Sequence, residues 1–427
     1  MITAIVNARL LDPATDTDEL GGVIIEGGKI AAWGAGVQAA PGAANDIIDA
    51  GGLCLAPGLI DLRVKTGEPG EEHRETLETA SRAALSGGVT QFVVMPDTKP
   101  VIDDVALVQF LTRATPGIHA RIHAAGALTT GLGGTAMAEI GLMKEAGAVF
   151  FTNGDHTVED AAVQRRAMAY AASHGAIVAS RPDCESLRGS GVMNAGGFAG
   201  RLGLKGMARE AEWVGASRDL MLAEATGCKL ILDQVSTPRT LDMLTDAKAR
   251  GAHAGCTVAA HSLFFNELDI GDYLTYCKVN PPFRSEDDRQ GLISALASGA
   301  IDAVVSAHDP QPPEQKRLPF AEASFGAAGL ETTLSAMMSL VHDGPLDLLG
   351  ALRVLTCGPA DLIGLEGGRI AEGQAADLIL FAPDRPWKCV RENLLTRSTN
   401  SPFDGRLLQG RVQRTLVEGK TVFERQD

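Results

Sequence analysis

Short apolar runs, each followed by an amphipathic stretch, dominate the centre of the chain. Strand candidates fall at 53–64 (LCLAPGLIDLRV), 89–96, 118–128, 148–153, 176–182, 229–236, 253–264 and 300–310. Helical periodicity fills the gaps, as in ETLETASRAALS (75–86) and VEDAAVQRRAMAYAASH (158–174). Eight strands alternating with helices predict an α/β fold, a TIM (β/α)8 barrel. Both ends have another rhythm. Apolar runs broken by turns at 2–34, 368–381 and 411–423 predict small β-strands. Two β-rich ends around a long middle predict a small β-sandwich built from both termini. The expected division is 1–55 with 366–427 for the sandwich and 56–365 for the barrel. Barrels of this kind place chemistry at the C-terminal ends of their strands, so the residues closing each strand are the candidates.

Composition narrows the function classes. The 427 residues are 45% hydrophobic and carry a formal net charge of −15, which disfavours binding to a nucleic-acid backbone. Seven cysteines, at 54, 184, 228, 256, 277, 357 and 389, form no Cys-x-x-Cys. An odd, scattered set predicts free thiols in a reducing compartment. The N-terminus lacks the pattern of a signal peptide, and no apolar run reaches the roughly 18 residues of a membrane span. A cytoplasmic protein is expected.

Specific motifs then appear in order along almost the whole chain: APGLID (56–61), EPG (68–70), GVMNAG (191–196), RLGLKG (201–206), VST (235–237), KVNPPFRS (278–285), GLET (329–332), GRIAEGQAADLILF (368–381) and NSPFDG (400–405). In these the chain resembles the dihydroorotases of the amidohydrolase superfamily. The resemblance implies the barrel and terminal sandwich already read from the pattern. It also implies reversible cyclisation of carbamoyl aspartate to dihydroorotate, with a divalent metal, usually zinc, activating water and a strand-8 carboxylate as base. Metal ligands must offer lone pairs, as neutral imidazole or carboxylate does.

The residues at the implied positions are of another kind. Strand 1 of the family reads His-x-His-x-Arg, and here it reads Arg63, Val64, Lys65, Thr66, Gly67. The strand-2 asparagine is Asp97, and the strand-4 aspartate falls at Asn153 or Gly154, with Asp155 displaced. Strands 5, 6 and 8 supply Arg181, Gln234 and Ala307 where ligands or base are implied. Asn280 and His308 are retained from the substrate pocket, and no catalytic or metal residue is assigned.

Several expectations follow. The resemblance implies a catalytically inactive dihydroorotase homologue, a pseudoenzyme without metal or other cofactor. Its expected role is that of an assembly subunit for the aspartate carbamoyltransferase catalytic chain, as a homo- and hetero-oligomer in pyrimidine biosynthesis. One alternative is a metabolite-sensing pseudoenzyme that binds an anion in the former pocket. Another is an amidohydrolase with a relocated metal, held by His261, His308 and Asp309. Arg63, Lys65 and Arg181 are expected to pair with some of Asp61, Asp97, Asp183, Asp233 and Asp309.

Overall fold

The computed structural model describes residues 2–39, 44–113 and 115–426. Eight parallel strands form one sheet in sequential order: Leu59–Val64, Val89–Val94, Arg121–Ala127, Phe150–Thr152, Ile177–Ser180, Lys229–Leu232, Ala254–Ala259 and Ala303–Val305. All eight expected strands are present. A parallel bridge between Val64 and His308 brings the first and last strands together. Every residue of the first two strands is buried, as strands covered on both faces require. One apolar cluster draws on all eight strands, among them Ile60, Val93, Ala125, Phe150, Ile231 and Val305, so the barrel is filled rather than open. The larger cluster lies between strands and surrounding helices such as Leu77–Ser86 and Ala161–Ser173. Both helices begin on side chains that accept backbone N–H groups, Thr76 and Asp160.

The second sheet is made by the two ends of the chain. Its order is Lys420–Glu424, Arg411–Val417, Leu378–Ala382, Cys54–Pro57, Ile2–Asp12, Thr17–Glu26 and Lys29–Gly34, with Asp46–Asp49 also paired to Ile2–Asp12. N- and C-terminal halves meet where Leu378–Ala382 runs antiparallel to Cys54–Pro57. That strand straddles the expected domain boundary and leads directly into the first barrel strand. The terminal sheet has its own apolar core, including Ile5, Leu10, Val23, Leu55, Leu378 and Leu416. All seven cysteines are free thiols. No helix among the described residues is long and apolar enough to cross a membrane.

Candidate functional site at the barrel mouth

Charged side chains from the ends of the first, second, fourth, fifth, sixth and eighth strands converge at the mouth of the barrel. Arg63 and Lys65 leave the first strand, whose register is bulged between Asp61 and Val64. Asp155 lies just beyond the fourth strand, and Arg181 just beyond the fifth. The Asp155 carboxylate accepts from all three cations: Arg63 Nη2 at 2.6 Å, Arg181 Nη1 at 2.8 Å, and Lys65 Nζ. Arg63 also donates through Nη1 to Asp233, which in turn accepts from Thr257 Oγ1 at 2.7 Å. Lys65 reaches Asp97 at 2.7 Å and Asp309 at 3.3 Å. Arg74 continues the network to Asp309 at 2.7 Å and Glu71 at 2.8 Å. The Gln234 amide fits both neighbours when its oxygen accepts from Arg63 Nε at 2.6 Å and its nitrogen donates to the Asn280 carbonyl at 3.2 Å.

The expected pairing is thus present, with a different centre. Asp97, Asp233 and Asp309 take part. Asp61 does not pair with a cation; it accepts from the backbone N–H groups of Arg63 and Ser306. Asp183 pairs with Arg188 instead. The hub is Asp155, which spacing alone placed out of reach. Gly154 precedes it at φ +61°, a conformation that L side chains rarely adopt, and the chain makes a turn there, closed by the His156 N–H on the Asn153 carbonyl. A glycine immediately before an acidic residue at a strand end was the available signal.

Other candidate positions are structural. Asn153 faces the neighbouring loop, where its Oδ1 accepts from the Thr129 N–H at 3.1 Å and the Thr129 hydroxyl at 2.9 Å. Gly67 sits at φ +74°, and a Cβ there would lie 2.5 Å from the Glu71 carbonyl oxygen. An arginine at that position would disrupt the turn. Gln234 and Ala307 both have left-handed backbones, at φ 57° and 51°. His308 is fully buried: its Nδ1 faces the Gly329 N–H at 3.3 Å, and its Nε2 lies 3.4 Å from Glu75. His261 packs edge-on against Phe283, and burial pushes its pKa down to about 4.

Electrostatics hold the cluster in its charged form. Burial works against charge at every member. At Asp155 the opposing pull of Lys65, Arg63 and Arg181 wins, and its pKa lies well below the ordinary carboxylate range. At Arg63 burial is likewise outweighed, by Asp233 and Asp155, and its pKa is raised. Asp61 shows the opposite balance: burial pushes it up to about 6 despite hydrogen bonds from Ser306 and Arg63. A raised acid stabilises the fold fully below its ordinary value and loses that contribution as pH rises through about 6. Asp61→Asn is therefore expected to flatten a fall in stability between about pH 4 and 7, worth up to about 3 kcal/mol. Urea melts across that range check it; an unchanged pH slope would contradict it.

This donor set does not fit a divalent metal. Permanent cations stand at Arg63, Lys65 and Arg181, an amide at Gln234 and a methyl at Ala307. Neither guanidinium nor ammonium offers a lone pair. The carboxylates nearby are already matched by cations. His261, His308 and Asp309 do not form the relocated centre, because each is committed to other partners. Among the described residues no three His, Cys, Asp or Glu side chains are grouped to hold a metal. The cavity lined by Arg63, Lys65, Asp155, Asn280 and Asp309 measures about 20 Å³. That admits about one water, whereas small-molecule sites span about 300–1,000 Å³.

Residues 52–239 match a family described as Dihydro-orotase-like. A protein named "Dihydroorotase" from Syntrophotalea carbinolica is 39% identical over 424 residues, covering 99% of both chains. A "Dihydroorotase-like protein" from Pseudomonas aeruginosa is 38% identical, covering 99% of this chain and all of its own. The L-hydantoinase of Arthrobacter aurescens superposes with a TM-score of 0.88 at 26% identity, covering 99% of this chain and 96% of its own. These findings correct two expectations. Full-length relatives, that of Syntrophotalea carbinolica among them, are named Dihydroorotase, and the structural neighbour is a hydantoinase. They overturn the reading of the chain as a catalytically inactive assembly subunit and as a non-enzyme. The substitutions at the ligand positions, on which that reading rested together with the family resemblance, do not by themselves establish loss of activity.

Proposed function

Because the chain belongs to the dihydroorotase-like family, within the hydantoinase-like amidohydrolases, we propose that it acts as a cyclic-amide hydrolase on the dihydroorotase substrate class. These substrates are carbamoyl aspartate and its cyclic form, or a close ureido acid. The observation that carries the reading is full-length similarity to relatives named for that reaction. The barrel mouth supports it in chemical kind. Such substrates carry carboxylates, and Arg63, Lys65 and Arg181 converge at the strand ends where a barrel binds its substrate. Asn280 lines the same mouth. No step is assigned to a metal, since the residues present do not fit one. The chain's own groups bind and orient a carboxylate, and Asp309, held by Arg74 and Lys65, lies just beyond the eighth strand.

The test is direct. Ring closure of carbamoyl aspartate and ring opening of dihydroorotate are followed with the protein as purified and after addition of zinc. Turnover that co-elutes with the protein and falls on Asp309→Asn is the expected result. No turnover in either direction, under conditions where an established dihydroorotase is active, would overturn the reading.

A further inference from the structure

We propose that Arg181, with Arg63 and Lys65, forms a carboxylate-binding subsite that the side chain of Asp155 occupies as an internal ligand. A carboxylate of a small ureido acid would take its place. The choice of ligand rests on the functional reading above; the subsite itself rests on geometry.

Three observations point the same way. The first is that three cations donate to one carboxylate, and two of them have other partners. Arg63 keeps Asp233 if Asp155 leaves, and Lys65 keeps Asp97 and Asp309. The second is that Arg181 keeps none of its ion pairs. Among the described residues its one salt bridge is to Asp155, made through a single Nη1. Its side chain is only 3% exposed, so most of a buried guanidinium fork is spent on no protein acceptor. A guanidinium in that state is suited to a carboxylate held by two parallel bonds. The third is that Asp155 is the most accessible member of the centre, 30% exposed against 3% for Arg63 and Arg181. It is carried on the irregular segment after Thr152, behind the left-handed Gly154. The anion seat is thus built from buried cations on strand ends, while its occupant sits on a loop at the solvent side.

The probes are N-carbamoyl-L-aspartate and inorganic phosphate, titrated calorimetrically into the full chain. Asp155→Asn is expected to bind carbamoyl aspartate at least about tenfold more tightly than the natural chain, since the competing carboxylate is gone. Adding Arg181→Met is expected to abolish that gain. A folded Asp155→Asn chain that binds neither probe overturns the subsite, and so does binding that survives Arg181→Met. Binding of phosphate alone overturns the ureido-acid assignment. If Asp155→Asn does not fold, the Arg181 side-chain N–H resonance of the natural chain decides. It must shift on addition of carbamoyl aspartate, and a resonance that stays put overturns the proposal. Binding without turnover leaves the subsite standing and removes the hydrolytic reading; turnover indifferent to Asp155 and Arg181 does the reverse.

Discussion

Arg63→Met is expected to lower the unfolding free energy by about 3–5 kcal/mol, a large share of what a domain has. The methionine matches the arginine stem in length and packs without strain. What disappears is the charge and all three donor edges of the guanidinium: Nη1 on Asp233, Nη2 on Asp155 and Nε on Gln234. Asp233 is then a buried anion whose remaining hydrogen bond is from Thr257. Breaking one partner from a buried pair costs more than the pair itself contributes, because the other charge is left uncompensated. Urea unfolding measures it, as a lower midpoint with an unchanged slope. Asp233→Asn added to Arg63→Met should recover part of the loss, since it removes the stranded charge; the coupling shows that the two residues act as a pair. A loss under about 1 kcal/mol would mean that water screens the cluster as it does surface pairs.

The eight strands were legible because a barrel strand is buried on both faces and declares itself as an apolar run. The terminal sheet was legible as a change of rhythm. The cations of the mouth were also readable: the spacing of Arg63 and Lys65 by two positions places both toward one centre, and both reach Asp155. What the sequence hid depends on backbone sign and on contacts across the barrel. Nothing in the spacing tells that Gly154 turns the chain and swings Asp155 inward. Nothing near Asn153 says that its amide serves the Thr129 loop. Asp61 looked like one more carboxylate for the cations, yet its partners are backbone N–H groups. The loop 308–320 carries three of its prolines in PQPP (310–313), and the structure fastens it further. Lys316 is buried there, with Nζ donating to the carbonyls of Thr275, Lys278 and Ser324 at 3.1, 3.3 and 2.7 Å. Function shows the same limit. The substituted ligand positions, taken with the family resemblance, pointed to an inactive subunit, whereas full-length relatives named Dihydroorotase point to an enzyme.

Glu75→Gln carries the second large effect, about 3 kcal/mol of stability, although it changes one atom. Glu75 is fully buried and ties three parts of the chain together. Its oxygens accept from the Thr396 hydroxyl, the Thr79 hydroxyl and the Arg397 N–H at 3.1 Å, and Oε2 lies 3.4 Å from His308 Nε2. The Arg397 N–H is a fixed donor and the two hydroxyls would have to reverse, so the amide nitrogen of glutamine loses charge-assisted bonds and faces at least one N–H. The pH dependence gives a second readout. Burial raises the Glu75 pKa, but the nearby His308 imidazole, with hydrogen bonds from Thr396 and Thr79, outweighs it, and the folded value lies below the ordinary 4.5. A depressed acid contributes stability above its ordinary value and loses it as pH falls through the folded value. Glu75→Gln should therefore lower stability at neutral pH and also flatten the acid limb below about pH 4.5, a window separate from that of Asp61. Because Thr396 and Arg397 belong to the C-terminal segment, amide hydrogen exchange there should rise with the substitution, while the strand Leu230–Leu232 stays protected. Uniform loss of protection in both places would mean that Glu75 holds the whole barrel rather than fastening the C-terminal segment to its mouth.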